Sequence, residues 1–248
     1  MAISAKNVAV TYGSHLALRG VTFELEHGSS VAVIGPNGSG KSTLLGAIAG
    51  TVELSAGSLR ITGDGPALVL QSTNVDPSLP VTVRDTVSLA RYPTLRWFQR
   101  FSALDRAAVE AAMRRLGVDD LASRQIHELS GGQRQRTLVA QGLAQESDVL
   151  LLDEPVTGLD VASRHVILDL IDDEVAQGKA VVVTTHDLDE ARRCDRVLLL
   201  NTGMVALGTP EEVLIAENLR RVFGGQLMEL GDELFLDDAP GPDHDHDH

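Results

Sequence analysis

The sequence predicts one compact α/β body, and three observations predict it. Apolar stretches of strand length recur at residues 30–34, 148–154 and 180–185, and polar or glycine residues stand at or just past each carboxyl end. Between these stretches apolar residues fall three or four apart, the spacing of amphipathic helices. The first stretch passes through a glycine-rich turn into the helical run 44–49, so strand, loop and helix follow one another directly. With 248 residues the chain can bury one substantial core and carry a small subdomain.

In chain order, residues 7–12 alternate in the β manner, Gly13 and Ser14 read as a turn, and residues 21–25 alternate again before His27 and Gly28. An antiparallel β region therefore leads into the strand at 30–34. There follow Gly35, Pro36, Asn37, Gly38, Ser39, Gly40, Lys41, Ser42 and Thr43, which meet the pattern G-x-x-x-x-G-K-S in full. Gly35, Gly38 and Gly40 let the backbone turn its N–H groups inward around a polyanion, and a helix starting near Lys41 points its positive end at the same place. Lys41 can reach β- and γ-phosphates as a flexible point charge, and Ser42 offers a hydroxyl to a magnesium ion that bridges them. A plain glycine turn would explain the glycines but not the lysine and hydroxyl placed immediately after them.

Residues 58–61 and 67–70 are further strands around a turn at 63–66, and the second ends at Gln71. Ligands of α/β sheets bind beyond the carboxyl ends of core strands, which is where Gln71 falls; standing alone it would be an ordinary solvated loop residue. From 81 to 113 the pattern turns helical through Val83, Val87 and Ala90, and a second amphipathic run at 105–116 is stopped by Gly117. Between them Tyr92, Trp97, Phe98 and Phe101 make up half of the aromatic residues of the chain. Two readings stand for them: a protein contact, where aromatics beside arginines are favoured, or simple packing of the helical insert. Ser130 is an N-cap for the helix through Leu138, Val139, Leu143 and Ala144, with Gly131, Gly132 and Gln133 behind it. That start is either a second anion site or merely a well-capped helix.

The strand at 148–154 ends in Asp153 and Glu154. Successive strand residues point opposite ways, so the two carboxylates take different tasks: Asp153 a metal shell, Glu154 a water aimed at the γ-phosphate. Pro155 ends the strand, residues 157–160 turn into a helix rich in Val, Ile and Leu, and the strand 180–185 is capped by His186. Residues 196–200 and 204–207 flank a hairpin turn at 201–203.

Net charge is −14, but eight acids and no lysine or arginine follow Arg221, so the folded body is only mildly acidic. Neither balance favours a nucleic-acid partner, which needs a basic face. Cys194 is the single cysteine, which excludes an internal disulfide and reads as a small buried residue of a cytosolic protein. No apolar run approaches the roughly 20 residues of a membrane span. The chain end, residues 243–248, alternates Asp with His244, His246 and His248; in an extended segment the three imidazoles share a side and suit zinc, while the plainer readings are a solvated acidic tail or an appended sequence.

Taken together, residues 35–43, Gln71, residues 129–133 (Leu-Ser-Gly-Gly-Gln), residues 149–154, Asp160 and His186 resemble the ordered motif set of an ABC transporter ATPase subunit, over about residues 3–223. The resemblance implies the ABC ATPase fold, a P-loop core with an antiparallel β subdomain and a helical subdomain at about 75–145, all within residues 1–226, followed by a disordered acidic tail at 227–248. It implies ATP and Mg2+ as ligands and a homodimer that sandwiches two ATP molecules, with Ser130 and Gly132 of one chain meeting the γ-phosphate on Lys41 of the other. It further implies that Tyr12 stacks on adenine, Gln71 senses magnesium and water, Ser42 and Asp153 serve the metal, Glu154 is the catalytic base, His186 positions the water and Asp160 orders the dimer contact. Softer marks at 79–84, 90–93, 124–126 and 157–160 are similar to ATPases of manganese, zinc and iron chelate importers. Such a subunit sits on the cytoplasmic face of the cell membrane, held by a permease and served indirectly by an extracytoplasmic binding protein. An ATP-gated DNA clamp would need a long coiled coil between the P-loop and residue 129, and a metabolic kinase would leave residues 129–133 unexplained.

Overall fold

The computed structural model describes residues 1–63, 65–71, 80–94 and 101–224, with backbone alone at 93–94, 227–230 and 233–236. Trp97 and the histidines at 244, 246 and 248 lie outside these residues. In chain order, β1 (Ile3–Tyr12), β2 (His15–Leu25) and β3 (Ser29–Ile34) lead into α1 (Lys41–Ile48). Then come β4 (Ala56–Ile61) and β5 (Ala67–Val69), followed by α2 (Val83–Ser88), a 3-10 turn (Leu89–Thr94), α3 (Ala103–Arg115) and α4 (Gly131–Leu143). The remainder alternates β6 (Val149–Asp153), α5 (Val161–Ala176), β7 (Ala180–Thr185), α6 (Leu188–Arg192), β8 (Arg196–Asn201), β9 (Gly203–Gly208), α7 (Pro210–Val213) and α8 (Ala216–Phe223).

The first nine strands form one sheet in the order β4-β1-β2-β9-β8-β3-β7-β6-β5. From β8 to β5 every pairing is parallel, and β1, β2 and β4 pair antiparallel, so the expected core and β subdomain are both present. They are joined where β2 meets β9 at a single residue pair, Arg19 with Gly203. The central strands are apolar along their middles because both of their faces are covered, and they turn polar only at their ends. Along β6, Val149 and Leu151 pack on the α1 side, while Leu150 and Leu152 pack with the helical insert and α5. Burying each such side chain contributes about 1.5–3 kcal/mol.

The three longer helices of the insert begin in the same way. Thr82 with Asp85, Ser102 with Asp105 and Ser130 with Gln133 each form a reciprocal capping box, which satisfies two otherwise orphaned N–H groups per helix. The insert is pinned to the core by Arg115 of α3, which pairs with the fully buried Glu174 of α5; Lys179 holds the same carboxylate at 2.5 Å. Arg91 ties its 3-10 turn to Asp105 at 3.0 Å and to Glu146 at 2.8 Å.

Two features depart from the sequence reading. Residues 227–236, expected within a disordered tail, include β10 (Leu227–Leu230) and β11 (Glu233–Leu236), paired antiparallel from Leu227 with Leu236 to Leu230 with Glu233. The two short runs are separated by two residues, the spacing of a hairpin, and the acidity of the segment hid that pattern. The second departure is that β6 stops at Asp153: Glu154 turns into the left-handed region at φ 46°, so strand alternation does not set its direction.

Candidate functional site

Four loops leave the carboxyl ends of β3, β5, β6 and β7 on one side of the sheet, bringing the P-loop, Gln71, Glu154 and His186 together. The P-loop is built on close approach. A Cβ on Gly35 would lie 2.1 Å from the Leu200 carbonyl oxygen, and Gly40, at φ 100°, would collide with Ala17 and Leu18. Gly40 caps α1, with Leu44 N–H donating to its carbonyl at 2.8 Å, so the first-turn N–H groups of α1 face the loop.

Lys41 is almost fully buried, and its Nζ donates to the Gly35 carbonyl at 2.8 Å and the Pro36 carbonyl at 3.4 Å. It stands 3.9 Å from Glu154 Oε1. Burial pulls the Lys41 ammonium below its ordinary pKa, and the neighbouring charges of Glu154 and Asp153 oppose that pull. Glu154 in turn has three groups around Oε2: His186 Nδ1 at 3.6 Å, Gln71 Nε2 at 3.5 Å and Thr157 Oγ1 at 3.3 Å. The interaction with His186 is the largest influence holding this carboxyl below the usual range, against burial, with Lys41 adding to it.

An open cavity of roughly 350 Å3 lies over this cluster, lined by Tyr12, His15, Ala17, Gln71, Glu154 and residues 37–43. The half-exposed Tyr12 ring stands at its edge, in place for a flat base. Ser42 is exposed on the first turn of α1, Thr43 is half-buried, and Asp153 lies buried beneath. Within the loop the Ser39 hydroxyl is buried and has no hydrogen-bond partner among the described residues. A buried hydroxyl left unpaired beside backbone N–H groups suits a polyanion that would accept from it.

Thr184 is the organising residue that sequence reasoning missed. Its Oγ1 donates to Asp153 Oδ1 at 2.5 Å and accepts from the Glu154 N–H at 2.9 Å, which locks the two acids at the end of β6. His15 and Ala17 were likewise unmarked, because they belong to a strand before the P-loop and show only their β character in sequence.

Ser130, Gly131, Gly132, Gln133 and Asp160 are not among the residues that line the cavity. Ser130 is exposed and engaged with Gln133, its Oγ accepting from Gln133 N–H at 3.3 Å while its own N–H donates to Gln133 Oε1 at 3.1 Å. Asp160 caps α5 through Ser163 at 2.9 and 2.8 Å and abuts Gly132, where a Cβ would lie 2.7 Å from its Oδ2. A second N–H cluster is thus fixed against α5, apart from the first.

The comparisons with known proteins agree with this geometry. The family model for the ABC transporter matches residues 18–157. A manganese transport system ATP-binding protein of Synechocystis sp. is 40% identical over 244 residues, covering 94% of each chain. A solved structure described as an inward-facing metal-chelate type ABC transporter superposes with a TM-score of 0.82 at 30% identity over 94% of each chain. A dimeric ATP-binding cassette in a post-hydrolysis state, bound to ADP and Pi, superposes with a TM-score of 0.74 at 28% identity, covering 84% of this chain and 98% of that one. With the P-loop, the carboxylate pair and the capped second N–H cluster in place, the chain belongs to the ABC transporter family, as an ATP-binding cassette.

Proposed function

We propose that the chain is the ATP-hydrolysing subunit of a transporter that imports a transition-metal ion, manganese, zinc or iron, through a separate permease. The observation that carries the hydrolytic reading is the Glu154 carboxylate, set 3.9 Å from the phosphate-binding Lys41 and 3.6 Å from His186. Metal cargo is supported by the likeness to the Synechocystis manganese protein and the metal-chelate type transporter.

In this reading the loop N–H groups, Ser39 and Lys41 hold the phosphates, and Tyr12 stacks on the base. Ser42, Asp153 and Gln71 would hold Mg2+, an all-oxygen set of hydroxyl, carboxylate and amide that fits a hard cation keeping several waters. That ion would neutralise charge on the phosphate oxygens. Glu154 takes the proton from the attacking water as general base. His186 fixes the direction of the carboxylate and reaches toward the γ-phosphate. A second copy completes each site from outside, its Ser130, Gly131, Gly132 and Gln133 supplying the other N–H cluster and its Asp160 ordering the contact. Among the described residues no helix is long and apolar enough to cross a membrane. The likeness to transporter subunits supports attachment to the cytoplasmic face through the permease, with an extracytoplasmic binding protein as an indirect partner. Between the P-loop and residue 129 the described residues form short helices instead of a coiled coil, which leaves the DNA-clamp alternative without its defining element.

Replacing Glu154 with Gln keeps shape and removes the base, so ATP should still bind while turnover falls by at least ~10²–10⁴. Near-normal hydrolysis by that variant would refute the assignment. Cargo is tested separately, by accumulation of radiolabelled manganese, zinc and iron in cells with and without the gene.

A further inference from the structure

We infer that Arg164 is a positioning residue, a bridge that carries the start of α5 to His186 and sets where the imidazole stands against Glu154. The inference rests on the role proposed for His186. His186 follows β7 without a regular element of its own, and the residues on both sides of it are tied. On one side Thr185 Oγ1 donates to Glu190 Oε2 at 2.5 Å and accepts from the Asp187 N–H at 3.0 Å. On the other, Asp187 Oδ1 caps α6 through the N–H groups of Asp189 at 2.7 Å and Glu190 at 3.2 Å. Both carboxylates then converge on one atom: Arg164 Nη2 lies 2.6 Å from Asp187 Oδ2 and 3.2 Å from Glu190 Oε1.

Arg164 stands in the first turn of α5, its N–H donating to the Asp160 carbonyl at 3.0 Å. Asp160 and Ser163 are the atoms against which Gly132 packs. A contiguous path therefore runs from the start of α4, through the cap of α5 and Arg164, to the two residues that flank His186. Val161, beside Asp160, is largely exposed, so this end of α5 is open to contact from outside the chain. A shift of the α5 start moves the Arg164 nitrogen and, with it, both anchors of the His186 loop. Among the described residues Arg164 is not one of those that line the nucleotide cavity, so its effect belongs to turnover and not to ATP affinity.

Because a single nitrogen makes both contacts, a lysine keeps the positive charge that the two carboxylates share, though one atom shorter in reach, whereas a neutral methionine removes it. Arg193 provides a control: its guanidinium also joins the α5 and α6 region, to Asp169 and Asp172, but among the described ion pairs it meets neither the Asp187 nor the Glu190 carboxylate. Only its backbone N–H touches Glu190, donating to the carbonyl at 3.2 Å. ATP turnover and the His186 imidazole NMR signals of the full chain, the latter identified by their absence from a His186→Ala chain, form the test. Arg164→Met should lower kcat by ~10- to 100-fold, the scale of a small misplacement of a reacting group. Its KM for ATP should stay within about threefold of the parent, as for a loss confined to the reacting state. Arg164→Lys should recover most of the loss, Arg193→Met should match the parent, and only Arg164→Met should move the His186 signals. Normal kcat in Arg164→Met, an equal fall in Arg193→Met, no recovery by lysine, or unmoved His186 signals would each overturn the bridge. Parent-like turnover by His186→Ala would remove the role of His186 and this inference with it; an impaired His186→Ala beside a normal Arg164→Met would remove the bridge alone.

Discussion

At the scale of single residues, the site depends on one hydroxyl. Thr184 is fully buried and serves Asp153 and the Glu154 N–H at once, so Thr184→Val, which keeps the shape, leaves both without that partner. Urea unfolding should show a loss of about 1–3 kcal/mol for Thr184→Val, and Thr184→Ser should stay close to the parent. The two glycines that follow Ser130 make a second contrast. A Cβ on Gly132 would meet Ser163 Oγ at 2.4 Å, whereas one on Gly131 meets nothing within 4 Å. Gly132→Ala should therefore cost ~1–3 kcal/mol by overpacking, and Gly131→Ala should leave thermal unfolding nearly unchanged. Lys41 was legible in the sequence because it directly follows a glycine loop, and Glu154 and His186 because each closes an apolar run. Thr184 was not, because a threonine in a Val-rich strand reads only as a β-branched strand former, and its partner Asp153 is 31 positions away.

At the scale of elements, the capping boxes decide where the insert helices start. Asp105 accepts from the Ser102 hydroxyl at 2.6 Å and the Ser102 N–H at 2.8 Å, with Arg91 beside it, and these bonds hold its carboxyl down from 3.8 to about 2. A carboxyl depressed on folding contributes stability that is present above its unfolded pKa and lost as pH falls through its folded one. The stability gap between the parent and Asp105→Asn should therefore be constant above pH 3.8 and close as pH approaches 2, read as the difference in urea midpoints. A gap that widens on acidification would show that the cap is not what α3 uses. Of these starts only Ser130 was marked in the sequence, as an N-cap followed by two glycines. Thr82 and Ser102 were not, because their pairing with the acid three residues on is a local side-chain bond that apolar spacing does not announce. The helices α6, α7 and α8, of five, four and eight residues, went unseen because such short runs give too little periodicity to separate helix from loop. Asp187 at the start of α6 caps by a local side-chain bond that no apolar spacing announces.

For the whole molecule, the sequence supplied the strands but not their order, since a parallel sheet is assembled from partners far apart in the chain. It did mark two N–H clusters, at residues 35–43 and 129–133, and under the proposed function the second serves the nucleotide of a partner chain. A Lys41→Ala chain mixed with a Ser130→Arg chain should regain one complete site per heterodimer, while each homodimer has none. ATP-driven dimerisation of the mixture no stronger than that of either variant alone would contradict the sandwich. The narrow junction between β2 and β9 bears on the same cavity. Tyr12, His15 and Ala17 belong to the antiparallel side of the Arg19–Gly203 pair, while residues 37–43 belong to the parallel side, and the Thr202 N–H at the junction donates to the Ser39 carbonyl at 2.9 Å. A nucleotide seated there is a fastener across a seam. In amide hydrogen exchange, ATP should slow the β1 and β2 amides along with those of α1, because the cavity is lined from both sides.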